Sequence, residues 1–399
     1  MLTRENNELL TRTGPDTRMG GLLRQFWLPA FLVEELPEPD CPPIRVSLLS
    51  ERLVAFRNSE GQIGLMDEAC PHRGASLVYG RSEESGLRCI YHGWKLDIGG
   101  NVVETPCERG DPSSMDRIKQ QSYQVREAGG IVWAYLGPKE KMPPFPAFEW
   151  MKLPASHVHV QKVLIECNYL QSIEGGIDSA HISFLHRTEI NYGHIATATK
   201  DTAPEFEVQE MPYGFRYAAL RNRDADNRYV RITPFIMPFY TIVPFAEHQP
   251  QAQHAWVPAD DHHNWAYTFT FKRSEPLKRE EWTHAADLTG GYRKFRNVGN
   301  QHLQDRAAMK SGKSFSGIPE ILDQDAAVQE GMGFIVDRTK EHLRKTDAAI
   351  VHLRRLFLRK LEGAESAGAG INQEAFACGD AIRCRIAVIP NASDWRTLD

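Results

Sequence analysis

The chain has 399 residues, 41% of them hydrophobic and 25% charged, an ordinary globular balance that excludes a disordered chain, a collagen and a disulfide-dense miniprotein. Lys plus Arg number 47 against 52 Asp plus Glu, a formal net charge of −5, so no basic footprint exists for nucleic acid or an anionic membrane. The length suits two or three domains. The opening MLTRENNELLTRTG has no basic region leading into an apolar run, and no apolar stretch reaches 18 residues; neither a secretory signal nor a membrane span is expected, and a cytoplasmic location follows.

In chain order, residues 5 to 27 read as helical pieces broken at Gly14-Pro15 and Gly20-Gly21, and Pro-rich 37 to 43 as an extended connector. Residues 45 to 138 change to short alternating runs between Gly and Asn-Ser turns, a small all-β unit. Pro-rich 138 to 146 marks a boundary. Beyond it, Val158–Glu166 alternates as a strand and Asn168–His186 reads as a helix weakened at Gly175-Gly176. Antiparallel strands are expected at Phe206–Gln209, Phe215–Arg221, Tyr229–Thr233, Tyr240–Val243 and Trp265–Lys272, with His262-His263 and Asp260-Asp261 at a hairpin tip. Helices return with Pro319 at a first helical position and over Asp347–Leu361. The order implies an α+β fold: an N-terminal helical segment, 1–44, packing on the last domain; a β domain, 45–138; and an antiparallel sheet covered by helices, 139–399.

Cys70-Pro71-His72 is followed, after sixteen residues, by Cys89-Ile90-Tyr91-His92. Two sulfurs and two imidazoles suit tetrahedral zinc or a [2Fe–2S] cluster of Rieske type, in which two Cys hold one iron and two His the other. Each arm donates one of each ligand, which fits two irons facing two loops. The remaining cysteines (Cys41, Cys107, Cys167, Cys378 and Cys384) have no His at ligand spacing.

CPHRGA and CIYHGWKLDIGGNVVETP resemble the cluster domain of the Rieske non-heme iron oxygenases, and NELLTRTGPDTRMGGLLRQFWLPA resembles their phthalate dioxygenase branch. The resemblance implies an oxygenase component with a [2Fe–2S] cluster on Cys70, His72, Cys89 and His92, a separate mononuclear Fe(II), and a helix-grip catalytic domain. It also implies head-to-tail homotrimers. No nucleotide fingerprint is visible, so electrons are expected from a separate reductase of flavin and iron–sulfur type.

A Rieske centre only carries electrons, so a catalytic chain needs a second site. Asp178-Ser179-Ala180-His181-Ile182-Ser183-Phe184-Leu185-His186 offers two His for a facial triad of two His and one carboxylate. A spacing of five is about 500° on an ideal helix, so the pair converges only if the helix is distorted or ends between them. The family pattern points to Asp325 as the carboxylate, with Asp323 and Glu330 as rivals. Asp178, three before His181, can hydrogen-bond its outer ring N–H, and by resemblance would reach His92 of a neighbouring subunit, bridging the two metal centres.

The implied reaction is O2-dependent cis-dihydroxylation of an aromatic, phthalate-like acid. The alternatives are O-demethylation of a methoxylated lignin-type acid and, from another class, a Rieske electron carrier without oxygen chemistry. An anionic substrate in an apolar pocket needs a cation, and Arg221 and Arg231 are favoured over Arg216 on the neighbouring strands.

Overall fold

A computed structural model describes residues 2–108, 117–189, 200–245, 249–281, 288–365 and 379–398; Cys378 falls outside them. The chain divides into one unit formed by Thr13–Asp16 and Gly20–Pro143, and another formed by Met1–Arg12, Thr17–Met19 and Pro144–Asp399. The first is built of β-strands apart from the end of one short helix, and the second is a sheet, antiparallel except where Val158–Ile165 meets Arg293–Lys294, that carries helices, so the α+β class holds.

The N-terminal 44 residues depart from the helical expectation. Arg4–Thr11 and Arg18–Leu23 are helices, but Trp27–Leu32 is a fully buried strand paired with Ile131–Tyr135. Pro29 inside WLPAFL cannot continue a helix, and the pairing register shifts beside it, where its missing N–H is tolerated. Gly20-Gly21, expected as a break, lies inside the helix Arg18–Leu23. Gly20 is there for closeness: a Cβ would sit 2.0 Å from the Gly14 carbonyl oxygen.

Among the described residues, three small sheets build the β unit. Ile131–Tyr135 lies between Trp27–Leu32 and Gln124–Ala128; Glu51–Arg57 lies between Ile44–Leu48 and Ile63–Asp67; and Arg81–Glu83, Gly86–Arg88, Lys95–Leu96 and Val102–Glu104 follow in order. Val54, Phe56, Met66, Leu77, Leu87, Trp94 and Leu96 pack around the buried Cys70 and Cys89. Buried Glu68 ties the strands to the first Cys-His loop. It accepts two hydrogen bonds from Arg45 (2.8 and 2.7 Å), two from Arg52 (3.1 and 3.0 Å) and one from Ser76 (2.5 Å).

In the larger unit, the described residues form a ten-stranded sheet. Its order is Glu205–Met211, Gly214–Asn222, Asn227–Ile236, Tyr240–Val243, Gln251–Pro258, Asn264–Phe271, Val158–Ile165, Arg293–Lys294 and Leu288–Thr289, with Arg385–Pro390 also paired to Asn227–Ile236. Gln251–Pro258 escapes the alternation rule because Gln251 and Gln253 point into the buried side; Gln253 Oε1 accepts from Trp150 Nε1 at 3.2 Å. His262-His263 does sit at the hairpin tip, between Gln251–Pro258 and Asn264–Phe271. Among the described residues the helices of this unit include Arg4–Thr11, Tyr169–Gly176, Arg306–Lys310, Ile321–Gly331 and Ala348–Glu365. Two expectations are corrected here. The helix from Asn168 stops at Gly176 rather than running to His186, and Pro319 precedes its helix, which begins at Ile321 after Glu320 turns with φ +63°.

Glu68 yields a stability prediction. Hydrogen bonds from Arg45, against the opposing cost of burial, and then from Ser76 and Arg52 hold its carboxyl down at about 2. A folded pKa below the unfolded value gives stability that is complete above the ordinary carboxyl range and lost as the pH falls toward 2. Glu68→Gln is expected to cost about 2–3 kcal/mol at pH 7 and clearly less at pH 3. Urea unfolding at both pH values checks this; equal stability of variant and parent at pH 7 would refute it.

Candidate functional site

In the β unit, Cys70-Pro71-His72 and Cys89-Ile90-Tyr91-His92 form two loops with one hydrogen-bond pattern. Cys70 N–H donates to Ala75 O (2.8 Å) and Gly74 N–H to Cys70 O (2.8 Å); Cys89 N–H donates to Trp94 O (2.8 Å) and Gly93 N–H to Cys89 O (3.0 Å). Gly74 and Gly93 close the turns at φ +72° and +76°, a region that favours glycine. The thiols are buried, and burial together with the neighbouring Cys89 pushes the Cys70 thiol up to about 11. The two imidazoles stand at the outer side, ring centroids 4.5 Å apart, with Trp94 stacked on His72 at 4.6 Å. Two buried sulfurs behind two imidazoles is the donor set of a [2Fe–2S] cluster with Cys2His2 ligation, and its positive charge would offset the cost of burying thiolates.

In the larger unit, a second set converges. His181 lies in a short 3-10 turn, His181–Ser183, after the helix has ended. The helix ends where a close approach demands glycine: a Cβ on Gly176 would lie 1.9 Å from the Trp256 ring. The break removes the conflict of a five-residue spacing. His181 Nε2 and His186 Nε2 are 3.1 Å apart, and Asp325 Oδ1 lies 3.5 and 3.1 Å from them. Metal–ligand bonds of about 2.1 Å meeting at right angles put neighbouring donors about 3 Å apart, so one ion can serve all three. Among the described residues this is the one His/Cys/Asp/Glu group that could hold a metal ion in this way.

The rival carboxylates point elsewhere. Asp323 faces Arg296 at 3.4 Å, while Glu330 pairs with Lys294 at 2.5 Å and accepts the Glu166 N–H at 2.9 Å. Asp178 no longer shares a helix with His181, yet its Oδ2 lies 3.5 Å from His181 Nδ1, and its Oδ1 accepts the Ala180 N–H at 2.7 Å. Burial pushes the His181 imidazole down, but Asp178 and Asp325 outweigh it and hold the group above its ordinary value. Asp178 is correspondingly lowered: burial opposes this, and His181 and the Ala180 N–H prevail.

One sheet face underlies this set. Residues directly opposite on paired strands share a face, which puts Tyr217, Thr233, Arg221, Tyr229, Arg231, Thr241, His254 and Trp256 together. Trp256 meets Gly176, and Arg221 Nη2 donates to Ser179 O at 2.6 Å, so the segment carrying the histidines lies over this face. Arg221 also donates to Asp201 O at 3.1 Å, and burial with the nearby Arg231 lowers it to about 10. Arg231 is buried, with an Nε that has no partner and one long hydrogen bond of 3.4 Å to Pro244 O. Arg231 acts electrostatically on His181. Arg216 turns away to Leu398 O and Arg396 O. The sequence reading missed His254, whose strand it did not find. Burial brings its imidazole down to about 4, against an opposing pull from Asp325, and its Nδ1 lies 3.1 Å from Thr268 Oγ1.

Known proteins share both domains. Residues 26–124 match the Rieske [2Fe-2S] domain, and residues 134–399 match the LigXa C-terminal domain like family. The oxygenase subunit of phthalate 4,5-dioxygenase from Pseudomonas putida is 39% identical over 99% of this chain and 94% of its own length. The chain belongs to the Rieske aromatic ring-hydroxylating oxygenases. The 3-chlorobenzoate-3,4-dioxygenase oxygenase subunit of Comamonas testosteroni is 38% identical over 100% of this chain and 98% of its own. Two solved structures share the fold: Pseudomonas putida NdmA with caffeine (TM-score 0.64, 18% identity, 93% of this chain and 98% of that one) and dicamba monooxygenase bound to dicamba (0.61, 19%, 87% and 99%).

As a Rieske oxygenase the chain carries a [2Fe–2S] cluster and a mononuclear iron, uses O2, and takes electrons from a separate donor protein. Among the described residues no helix is long and apolar enough to cross a membrane.

Proposed function

We propose that the chain is the oxygenase component that cis-dihydroxylates an aromatic, phthalate-like acid. The observation that carries this reading is the joint presence of the His181–His186–Asp325 donor set and, on the sheet face beneath it, a buried Arg231 with an unpartnered Nε. In this reading Cys70 and Cys89 hold one cluster iron, His72 and His92 the other, and His181, His186 and Asp325 hold Fe(II). A ferrous ion held there would supply the activation of O2. The balance is one ring, one O2, two electrons and two protons giving one cis-diol.

The chain's own residues do the rest. Arg231 meets the substrate carboxylate, because a buried guanidinium that finds no acidic partner among the described residues favours an anion. Arg221 is a positioning residue in this scheme, since its N–H groups already hold Ser179 and Asp201. Asp178 holds His181 through Nδ1 and extends toward His92 of a neighbouring copy in a head-to-tail homotrimer, forming the electron path. The functional division is a cluster domain, 45–138, to which Trp27–Leu32 adds a strand, and a catalytic domain, 139–399; the donor is a flavin and iron–sulfur reductase, and the setting is the cytoplasm.

The second reading is O-demethylation of a methoxylated aromatic acid. It is favoured by a 30% identical relative, the 5,5'-dehydrodivanillate O-demethylase oxygenase subunit of a Sphingobium strain, matched over 91% of this chain and 81% of its own length. A panel of phthalates, benzoates and methoxybenzoates with 18O2 separates the two. Both labelled atoms in a cis-diol support dihydroxylation, formaldehyde from a methoxy acid supports the second reading, and no oxygenated product with a competent reductase refutes both.

Two variants test the residue roles. Arg231→Gln is expected to raise the apparent KM for a carboxylate substrate about 10- to 100-fold with iron content intact, since a charge-assisted hydrogen bond is worth about 1.5–3 kcal/mol; an unchanged KM removes the anchor. Asp178→Asn keeps the shape and loses the charge. Both metal sites are expected to assemble, with single-turnover product formation from the pre-reduced protein slowed at least about 100-fold. Product formed at the parent rate would show that Asp178 is no bridge.

A further inference from the structure

Gln324 precedes the proposed ligand Asp325 and is fully buried. Its amide bridges two groups: Nε2 lies 2.7 Å from Ile318 O, and Oε1 lies 2.6 Å from His186 Nδ1. The orientation of the amide follows from chemistry. A backbone carbonyl can only accept, so the NH2 end must face Ile318. The other end is then the amide oxygen, which also can only accept. His186 Nδ1 must therefore carry a proton, and in the neutral ring the lone pair must lie on Nε2. That is the nitrogen 3.1 Å from both His181 Nε2 and Asp325 Oδ1.

The far end of this chain of bonds is itself held. Ile318 O also accepts from Ser316 Oγ at 3.0 Å, and Ser316 O accepts from Gln304 Nε2 at 2.6 Å. His181 is backed differently: Asp178, a carboxylate, lies 3.5 Å from its Nδ1. The two imidazoles thus have unlike partners, one charged and one neutral.

We propose that Gln324 is a positioning residue that fixes His186 as the Nδ1-protonated tautomer and so aims its Nε2 lone pair at the mononuclear metal. The proposal rests on the reading of His181, His186 and Asp325 as that metal's ligands and extends it to a residue outside the triad. A neutral backing for His186 leaves Asp178 and Asp325 as the carboxylates that set the charge around the ion.

Two substitutions separate this role from simple packing. Gln324→Met keeps the length of the side chain and removes both hydrogen bonds. Gln324→Glu keeps an oxygen that accepts from Nδ1 in either protonation state and, as the acid, an O–H that can donate to Ile318 O. Fe(II) affinity is measured by chelator competition, with visible absorption reporting the cluster. A second readout is the His186 Nδ1–H signal in 15N-histidine spectra of zinc-loaded protein with the cluster oxidised. Gln324→Met is expected to bind Fe(II) about 10- to 100-fold more weakly, with unchanged cluster absorption and a lost or rapidly exchanging Nδ1–H signal. Gln324→Glu is expected to retain affinity within a few-fold and to keep the signal.

Parent-like affinity and signal in Gln324→Met would overturn the proposal. So would a Gln324→Glu protein as weak as Gln324→Met. A parent protein that binds no Fe(II) beyond its cluster would overturn the ligand reading and this inference together, an outcome distinct from either variant result.

Discussion

Two imidazole nitrogens face each other across 3.1 Å with a carboxylate oxygen 3.1 and 3.5 Å away. Lone pairs aimed at one another repel unless a proton or a cation lies between them, and a partly buried site lacks the water that would otherwise screen them. Much else in the larger unit follows from keeping these three atoms together. The helix Tyr169–Gly176 must stop early, Gly176 must lie against Trp256, and Arg221 must hold Ser179 so that the turn carrying His181 settles over the sheet.

The β unit solves a parallel problem by repetition. Two loops of the same hydrogen-bond pattern each bury a sulfur and expose an imidazole, and each needs a glycine at positive φ to turn. In the proposed ligation, burying the sulfurs among Phe56, Leu87 and Trp94 would protect a cluster, and leaving His72 and His92 at the outer side would give electrons a way in and out. The chemistry is thus divided. In the proposed function one unit stores an electron, the other binds O2 and substrate, and Asp178 is the charged group that couples them.

Much of this was legible from residues alone. Cys and His paired on each of two arms have few uses, so the first constellation could be read directly. The second pair needed the observation that an ideal helix cannot bring His181 and His186 together; the break expected between them lies before both, at the weak point Gly175-Gly176. The choice of Asp325 over Asp323 and Glu330 depends on packing, because all three sit in one acidic helix and only their directions differ. The strand Gln251–Pro258, and His254 with it, was hidden because its buried glutamines mimic an exposed pattern. Trp27–Leu32 was hidden because its pairing partner lies about a hundred residues further on, beyond any local periodicity.

The central claim is that this chain has a catalytic iron on His181, His186 and Asp325 in addition to its cluster. Total iron, counted beside the cluster absorbance in the parent and in Asp325→Ala, tests it most directly. The account predicts three irons per chain in the parent and two in the variant, with the cluster absorbance equal in both. A variant that still holds three irons, or a parent that holds only two, would contradict it.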